Sequence, residues 1–261
     1  MSDAAMFRTP AAAYDRHIGR YGSALARALI AAAGVAPGQR ALDVGCGPGA
    51  LTTELAALLG AAGVAAADPS DVFAAACRER NRDVEVVVAP GEALPFPDAS
   101  FDAALAQLVV NFMTDPAAGV GEMARVTRPG GVVGAAVWDY AGEMTLLRRF
   151  WDAAVALDPA AAERDENRMP YCSPEELGGL WSAAGLSGVA VAPVVVAASY
   201  EDLDDLWQPL EVGVGPSGAY VLALTADRRA ALKDELRRRL DVGDGPFELS
   251  ARAWVVTGRV A

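Results

Sequence analysis

The sequence predicts an α/β protein with a doubly wound, mostly parallel sheet. Helical and strand patterns alternate from about residue 13 to residue 139 of the 261-residue chain, and this alternation is typical of parallel strands joined by helices. The apolar runs at 84–88 and 131–137 are short and bounded by turn residues, which indicates strands buried on both faces. The chain is long enough for one sizeable core, or for one core that carries a smaller subdomain.

Each element of this sheet has its own local signal. Strands are predicted at 40–44, 63–67, 84–88, 101–105 and 132–138, and helices at 14–34, 49–59, 70–80 and 116–126. We expect a turn at 128–131 to separate the last of these helices from the strand that follows. Further on, Ser173 and Glu176 form a capping-box pattern that predicts a helix as far as about residue 184. The remaining elements are a strand at 189–198, helices at 201–210 and 226–240, and a final strand at 247–260.

The charge of the chain argues against a nucleic acid partner. The formal net charge is −12, with 34 acidic and 22 basic side chains. Proteins that grip phosphates display an excess of Lys and Arg on one face, and no basic cluster stands out here beyond residues 237–239. A small molecule is therefore the expected partner, and we do not expect the protein's field to steer a negatively charged one.

Hydropathy predicts neither a membrane segment nor a secretion signal. Hydrophobic residues make up 53% of the chain. No run, however, approaches the roughly 20 consecutive apolar residues that a spanning helix needs. Residues 1–10 lack the basic start and the apolar stretch of a secretory signal. We therefore expect a cytoplasmic protein with no membrane partner.

The cysteines predict no cross-link and no metal site. Cys46, Cys77 and Cys172 are odd in number and widely spaced. This pattern fits neither a disulfide framework nor a set of metal ligands. We expect reduced and mostly buried thiols.

The most informative segment is A-L-D-V-G-C-G-P-G at residues 41–49. A buried strand leads into a glycine-rich turn, and a helix begins directly after it. Open α/β sheets bind ligands at such turns, because glycine lets the backbone approach a ligand closely. The G-x-G-x-G spacing differs from the G-x-G-x-x-G of a dinucleotide site. Asp43, two places before the first glycine, would repel a pyrophosphate but suits a cationic ligand.

The motif D-V-G-C-G-P-G resembles the first motif of the class I S-adenosylmethionine-dependent methyltransferases. Three further motifs follow in the family's order, at 89–102, 107–112 and 122–131, and the resemblance spans about residues 14–140. Within that family, the chain is similar to small-molecule methyltransferases of the ubiquinone and menaquinone biosynthesis type. The resemblance implies a Rossmann-like sheet of seven strands with an antiparallel last strand. It also implies S-adenosylmethionine as cofactor and S-adenosylhomocysteine as product.

The resemblance, together with spacing, assigns roles around the cofactor. Asp68 ends the second strand about 20 residues after the glycine turn, where an acid accepts hydrogen bonds from ribose hydroxyls; a helix-capping role for it stays open. Pro90 stands where the family usually has an aspartate that contacts adenine, so that contact would fall to the backbone of the next three residues. Arg20 is a candidate partner for the cofactor carboxylate, or simply a surface arginine. The implied cofactor-binding residues are Arg20, Asp43, Gly45, Cys46, Gly47, Asp68, Pro69, Gly91, Glu92, Ala93 and Gln107.

The catalytic residues are less well indicated by the sequence. Methyl transfer from a sulfonium depends mainly on alignment of the acceptor, and a general base is required only for some acceptors. His17, the single histidine, Asn111 and Asp139 are the candidates, although His17 and Asp139 also fit structural roles. Trp138, Tyr140 and Tyr171 are further candidates for lining an acceptor pocket.

The expected organisation is one methyltransferase domain with added helices. The core would comprise about 35–140, 171–198 and 245–261, and a helical lid or insertion would comprise about 10–34, 142–169 and 200–240. The sequence leaves open whether the chain forms a homodimer. One alternative function is a protein of the same fold that uses S-adenosylmethionine in a non-methylating reaction such as a cyclisation. The other is a nicotinamide-dependent oxidoreductase, which the turn spacing and Asp43 disfavour.

Overall fold

A computed structural model of the chain describes residues 11–261. The strands are β1 (Ala41–Val44), β2 (Val64–Asp68), β3 (Glu85–Val88), β4 (Phe101–Gln107), β5 (Thr127–Trp138), β6 (Ser187–Tyr200) and β7 (Phe247–Arg259). The α-helices are α1 (Ala11–Arg16), α2 (Gly22–Ala33), α3 (Ala50–Leu59), α4 (Asp71–Arg80), α5 (Pro116–Val126), α6 (Thr145–Leu157), α7 (Pro174–Ala183), α8 (Leu203–Glu211), α9 (Gly215–Leu222) and α10 (Ala226–Leu240). Residue 10, where the predicted lid begins, lies outside the described residues.

The strands form one seven-stranded sheet in the order β3-β2-β1-β4-β5-β7-β6. β1 pairs in parallel with β2 and with β4, β2 with β3, and β4 with β5. β7 pairs antiparallel to β5, from Val132 opposite Arg259 to Trp138 opposite Ala253. The predicted fold, a mostly parallel Rossmann-like sheet with an antiparallel last strand, is confirmed.

The residues of the predicted turn at 128–131 lie within β5, at an irregularity in its pairing with β4. Thr127 lies opposite Phe101 of β4, and the pairing shifts register before it continues from Ala103. On the other side, Gly130 N donates to Val260 O at 2.9 Å, and Val260 N donates to Gly131 O at 3.1 Å. The Pro-Gly-Gly sequence, which normally marks a turn, is therefore held within the strand as a bulge, with Gly130 at a φ of 76°, by partners that are distant in sequence.

The helices agree with the sequence pattern except at α9. Ser173 caps α7 as predicted, since its hydroxyl accepts from Glu176 N at 3.2 Å. α9 lies between the two helices predicted at 201–210 and 226–240 and has no apolar periodicity clear enough to predict it. Pro216 near its start and the burial of Tyr220 and Val221 account for its formation. None of the helices within residues 11–261 combines the length and apolar character needed to span a membrane.

The chain divides into two compact units. The helical unit comprises the described residues up to Tyr21, Asp139–Met169 and Val195–Arg252, and it contains α6, α8, α9 and α10. The sheet unit comprises Gly22–Trp138, Pro170–Val194 and Ala253–Ala261, and it contains β1 to β5. The helix α2, part of the predicted lid, falls in the sheet unit. The division into a core and a lid stays a prediction.

Each unit has its own apolar core. In the sheet unit, β1 is buried along its whole length, and Trp181 of α7 packs in the core and donates its indole N–H to Val133 O at 3.0 Å. In the helical unit, Phe150 and Trp151 of α6 meet edge to face at 5.1 Å, and Trp151 lies 5.5 Å from the ring of Tyr220. Aromatic pairs at these distances add to the stability that their burial provides.

Candidate functional site

The glycine turn after β1 is anchored to β2 by two backbone hydrogen bonds. Gly45 N and Cys46 N both donate to Ala67 O, at 2.7 and 3.0 Å. At Gly45, where φ is 71°, a Cβ would lie 2.5 Å from both γ-methyl carbons of Val109. At Gly47, where φ is 53°, no atom lies within 4 Å of the place a Cβ would take. The turn is therefore closed at Gly45 and open at Gly47, where a ligand can approach the backbone.

Asp43 presents a buried carboxylate beside this turn. Its Oδ2 accepts from Thr52 Oγ1 at 2.6 Å, whereas its Oδ1 is buried with no hydrogen-bond partner among the described residues. Burial raises the pKa of Asp43 to about 8, and the hydrogen bond from Thr52 opposes this effect. A buried carboxylate oxygen without a partner is costly. Asp43 therefore fits a site that a positively charged ligand completes.

The raised pKa of Asp43 makes the free energy of unfolding depend on pH. Because this pKa is higher in the folded protein than in an unfolded chain, the folded protein binds more protons between about pH 4 and about pH 8. We expect the free energy of unfolding to fall as the pH rises through this window, with a contribution from Asp43 of up to about 1.4 kcal/mol per pH unit.

Urea unfolding of the wild type and of Asp43→Asn measures this contribution at several pH values in the window. The variant has no ionisable group at position 43, so the wild type should lose stability relative to it as the pH rises. A stability difference that does not change with pH would contradict the assigned pKa.

Asp68, the last residue of β2, binds the glycine turn directly. Its Oδ2 accepts from Gly47 N and its Oδ1 from Ser70 N, each at 2.8 Å. Burial raises the pKa of Asp68, and these two hydrogen bonds oppose the rise. The helix α4 is capped instead by Ser70, whose hydroxyl accepts from Phe73 N at 3.4 Å. The alternative of Asp68 as the helix cap is therefore wrong, and its carboxylate sets the orientation of the turn.

The segment after β3 packs closely against the loop after β4. A Cβ at Gly91 would lie 2.8 Å from Met113 Cε, so a larger residue does not fit there without movement. Glu92 Oε1 accepts from Thr114 N at 2.8 Å and from Asp115 N at 3.2 Å. Glu92 thus joins the two loops, and the adenine contact predicted for it would use its other carboxylate oxygen.

The rest of this segment is held by α5. Glu122 Oε2 accepts from Leu94 N at 2.9 Å, and Arg125 donates to Leu94 O at 3.0 Å and to Phe96 O at 2.9 Å. Leu94 and Phe96 are buried. Through these contacts, Glu122 and Arg125 fix the loop in which residues 91–93 lie. This explains why the L-P-F motif occurs together with an acid and an arginine on α5.

The loop after β4 carries polar atoms that lack partners. Gln107 Nε2 donates to Gly22 O at 3.1 Å, but its Oε1 is buried without a partner among the described residues. Asn111 is 6% exposed, and within the same described part of the chain neither Oδ1 nor Nδ2 of its amide has a partner. Between them, Leu108 has a φ of 62°, which is rare for leucine. Backbone strain beside unsatisfied polar groups is typical of a binding site.

His17 and Arg20 belong to the helical unit. Burial lowers the pKa of His17 to about 4, and the charge of Arg20 adds to this, so the imidazole is neutral at pH 7 and a weak proton acceptor. Arg20 forms a salt bridge with Asp205, donates to Ser199 O at 3.0 Å and lies 4.8 Å from the centre of the Tyr200 ring. Arg20 is therefore held in place rather than free on the surface. The catalytic role of His17 and the cofactor role of Arg20 stay predictions.

Asp139 is paired within the helical unit. Its Oδ2 accepts from Arg252 Nε at 2.8 Å and from Glu143 N at 2.8 Å, and the side chain is 5% exposed. A carboxylate in such an ion pair is already satisfied as an anion, which reduces its tendency to take up a proton. A role for Asp139 as general base would compete with this pairing and stays a prediction, as do the pocket-lining roles of Trp138, Tyr140 and Tyr171.

Three residues of the site make contacts that have no signal in the sequence. Thr52 lies on α3, nine positions after Asp43, and holds its carboxylate. Val109 covers Gly45 and explains why that position excludes a side chain. Cys77 of α4 lies against the turn, since a Cβ at Gly49 would be 2.9 Å from its Sγ. Each acts through a contact across the fold, which a local pattern does not report.

The sequence comparisons agree with these motifs. The profile of a family described as "Methyltransferase domain" matches residues 42–134. The demethylmenaquinone methyltransferase of Mycobacterium sp. (strain KMS) is 45% identical over 105 residues, which cover 40% of this chain and 44% of that protein. The chain thus spans less than half the length of this relative.

The structural comparisons agree on the fold. A candidate type II methyltransferase from Anaeromyxobacter dehalogenans has a TM-score of 0.66 at 25% identity, over 92% of this chain and 97% of that one. The [4+2]-cyclase SpnF has a TM-score of 0.54 at 22% identity, over 91% of this chain and 80% of that one, a likeness of fold alone. The matched domain and the shared fold support a class I S-adenosylmethionine-dependent methyltransferase.

Proposed function

We propose that the chain transfers a methyl group from S-adenosylmethionine to a small-molecule acceptor. One observation carries the proposal: an open glycine turn lies between two buried acids, and Asp43 Oδ1 has no partner within the described residues. A ligand with a positive charge and a ribose supplies what both acids need, because Asp43 gains a cation and Asp68 gains hydroxyl donors.

The sheet unit provides most of the proposed cofactor contacts. Asp68, with Pro69 beside it, would accept from the ribose hydroxyls. The backbone of Gly45, Cys46 and Gly47 would lie against the cofactor at the open side of the turn.

The adenine and methionine ends have separate proposed contacts. Adenine would lie against the backbone of Gly91, Glu92 and Ala93, since Pro90 offers neither an N–H nor a polar side chain. The unpartnered Oε1 of Gln107 would accept from the methionine end. A role for Arg20 toward the cofactor carboxylate stays a prediction.

The acceptor is proposed to be a small molecule with an oxygen atom near the reacting position. Asn111 offers one donor and one acceptor that are buried and unused among the described residues, a pair suited to a hydroxyl or a carbonyl group. The relative named as a demethylmenaquinone methyltransferase makes a quinone-like acceptor the first to test. The net charge of −12 supports the exclusion of nucleic acid.

The chemistry places modest demands on the side chains. The bound cofactor supplies a methyl group that is already electrophilic on its sulfonium. The protein's part is to hold the acceptor in line with the breaking C–S bond and to keep water away, and such alignment can contribute on the order of 7–11 kcal/mol. A general base is needed if the acceptor is a hydroxyl and is dispensable for an amine.

Incubation with isotopically methyl-labelled S-adenosylmethionine and fractionated small-molecule extract tests this function. We expect a labelled product by mass spectrometry and one equivalent of S-adenosylhomocysteine. A substrate that is converted without formation of S-adenosylhomocysteine would instead support the cyclisation alternative. Protein that binds neither the cofactor nor S-adenosylhomocysteine would overturn the proposal.

Asn111→Ala should separate acceptor binding from cofactor binding. A site built to hydrogen-bond a polar group loses much of its turnover when that bond is removed. We expect kcat/KM for the acceptor to fall on the order of tenfold to a hundredfold, with the Kd for S-adenosylhomocysteine unchanged within about twofold. Steady-state kinetics and calorimetry measure the two quantities.

The matched control is Asn167→Ala, because Asn167 is exposed. This variant should keep both values. If Asn111→Ala weakens S-adenosylhomocysteine binding instead, Asn111 belongs to the cofactor site, and unchanged kinetics would contradict any role for it.

A further inference from the structure

The two cysteines of the sheet unit nearest the glycine turn lie on adjacent segments. Cys46 lies within the turn and Cys77 lies on α4, and both thiols are free and buried. Gly49 N donates to Cys46 O at 2.9 Å, and a Cβ at Gly49 would lie 2.9 Å from Cys77 Sγ. The turn that carries Cys46 is therefore packed directly against the Cys77 side chain, and each thiol shifts the pKa of the other.

The two thiols have different surroundings. Cys77 Sγ donates to Thr52 Oγ1 at 3.5 Å and accepts from Asn81 Nδ2 at 3.8 Å. The neighbouring Cys46 thiol lowers the pKa of Cys77 below its ordinary value, and the Cys77 thiol raises the pKa of Cys46. Cys77 is therefore the thiol that ionises first. The open space beside Gly47 gives a small oxidant a route to the turn.

We propose that Cys46 and Cys77 form a reversible disulfide under peroxide and that this bond controls cofactor binding. In the first step, the Cys77 thiolate attacks hydrogen peroxide, and with one proton this yields a sulfenic acid and water. In the second step, the Cys46 thiol attacks that sulfenic acid, which forms the S–S bond and releases a second water. Two thiols and one peroxide thus give one disulfide and two waters, and a thiol reductant reverses the reaction.

The disulfide acts on the site because Cys46 lies between the two glycines of the turn. An S–S bond is about 2.05 Å long, well below the separation of two thiols that are not bonded, so its closure moves Cys46 toward α4. Gly47 follows Cys46 directly, and its N–H donates to Asp68 Oδ2 at 2.8 Å. A displacement of Cys46 therefore also disturbs this hydrogen bond. The consequence for binding depends on the function proposed above. We expect oxidation to weaken S-adenosylhomocysteine binding at least about tenfold and, by reciprocity, bound S-adenosylhomocysteine to slow disulfide formation.

The test compares reduced, peroxide-treated and re-reduced protein. Peptide mapping after alkylation should find a Cys46–Cys77 disulfide, and calorimetry should show weaker S-adenosylhomocysteine binding that a thiol reductant restores. Cys77→Ser keeps a hydrogen-bonding hydroxyl but should lose the response to peroxide. Cys172→Ser is the matched control, because Cys172 is also a buried thiol and donates to Pro170 O at 3.3 Å, so this variant should respond like the wild type.

Two results would overturn the proposal: peroxide-treated wild type without the Cys46–Cys77 disulfide, or a mapped disulfide with an unchanged Kd. Loss of binding that persists in Cys77→Ser would overturn it as well, since the oxidation would then act elsewhere. Reduced protein that binds no S-adenosylhomocysteine would overturn the proposed function. It would also overturn the proposal that the disulfide regulates cofactor binding. A missing disulfide in protein that does bind overturns the redox proposal alone.

Discussion

Asp68→Asn should weaken S-adenosylhomocysteine binding on the order of tenfold or more, because the substitution removes charge-assisted hydrogen bonds to the ribose hydroxyls at a buried site. The turn itself also depends on this side chain. Both carboxylate oxygens accept backbone N–H groups, from Gly47 and from Ser70. An asparagine has one acceptor oxygen, so its amide nitrogen would face one of these two N–H groups. The variant therefore loses ribose contacts and part of the support for the turn.

Isothermal titration of S-adenosylhomocysteine measures the effect, and thermal unfolding of the same samples reports whether the fold is kept. Asp83→Asn is the matched control, since Asp83 is exposed and the change removes the same charge from the sheet unit. The control should bind as the wild type does. An Asp68→Asn protein that is folded and keeps wild-type affinity would contradict the ribose assignment.

Gly45→Ala should abolish cofactor binding and lower the free energy of unfolding. The positive φ of 71° is unfavourable for alanine, at a cost of about 1–3 kcal/mol. The new Cβ would also lie 2.5 Å from the γ-methyl carbons of Val109, so either the turn or the loop after β4 must move. Both segments line the candidate site, and either movement disturbs the proposed cofactor contacts.

Gly34→Ala separates the two causes. Gly34 has a similar φ of 67°, but no atom lies within 4 Å of its missing Cβ. Urea unfolding of Gly34→Ala should therefore show the cost of the positive φ without a clash, with S-adenosylhomocysteine binding unchanged. The double variant Gly45→Ala/Val109→Ala should recover part of the stability lost in Gly45→Ala, because the contact is removed. A double variant that recovers none of this stability would show that the contact with Val109 has no role.

The candidate site follows from local sequence only as far as its backbone frame. The carboxyl ends of β1 and β2 were predictable, because short apolar runs followed by glycine or an acid are local signals of strands and their ends. Parallel pairing then places Asp43 and Asp68 at the same edge of the sheet. The order of the motifs indicates the resemblance to class I methyltransferases without any knowledge of contacts in the fold.

The inclusion of residues 128–131 in β5 was not predictable, and neither was α9. Residues 128–131 have a composition typical of turns, and hydrogen bonds to the end of the chain hold them within the strand as a bulge. Both errors have one cause. Local composition gives a weak preference for a backbone state, and hydrogen bonds and burial supplied by distant residues override it.

The kind of ligand and the layout of the sheet were therefore readable from the chain alone, because they depend on periodicity and on glycine and acid spacing within short segments. The folded structure alone decided which polar atoms lack partners, which thiols lie on adjacent segments and which side chain closes the turn. Asn111, Cys77 and Val109 acquire their meaning in this way. Their partners, or the lack of them, arise when segments distant in sequence meet in the fold, and a linear pattern carries no record of that contact.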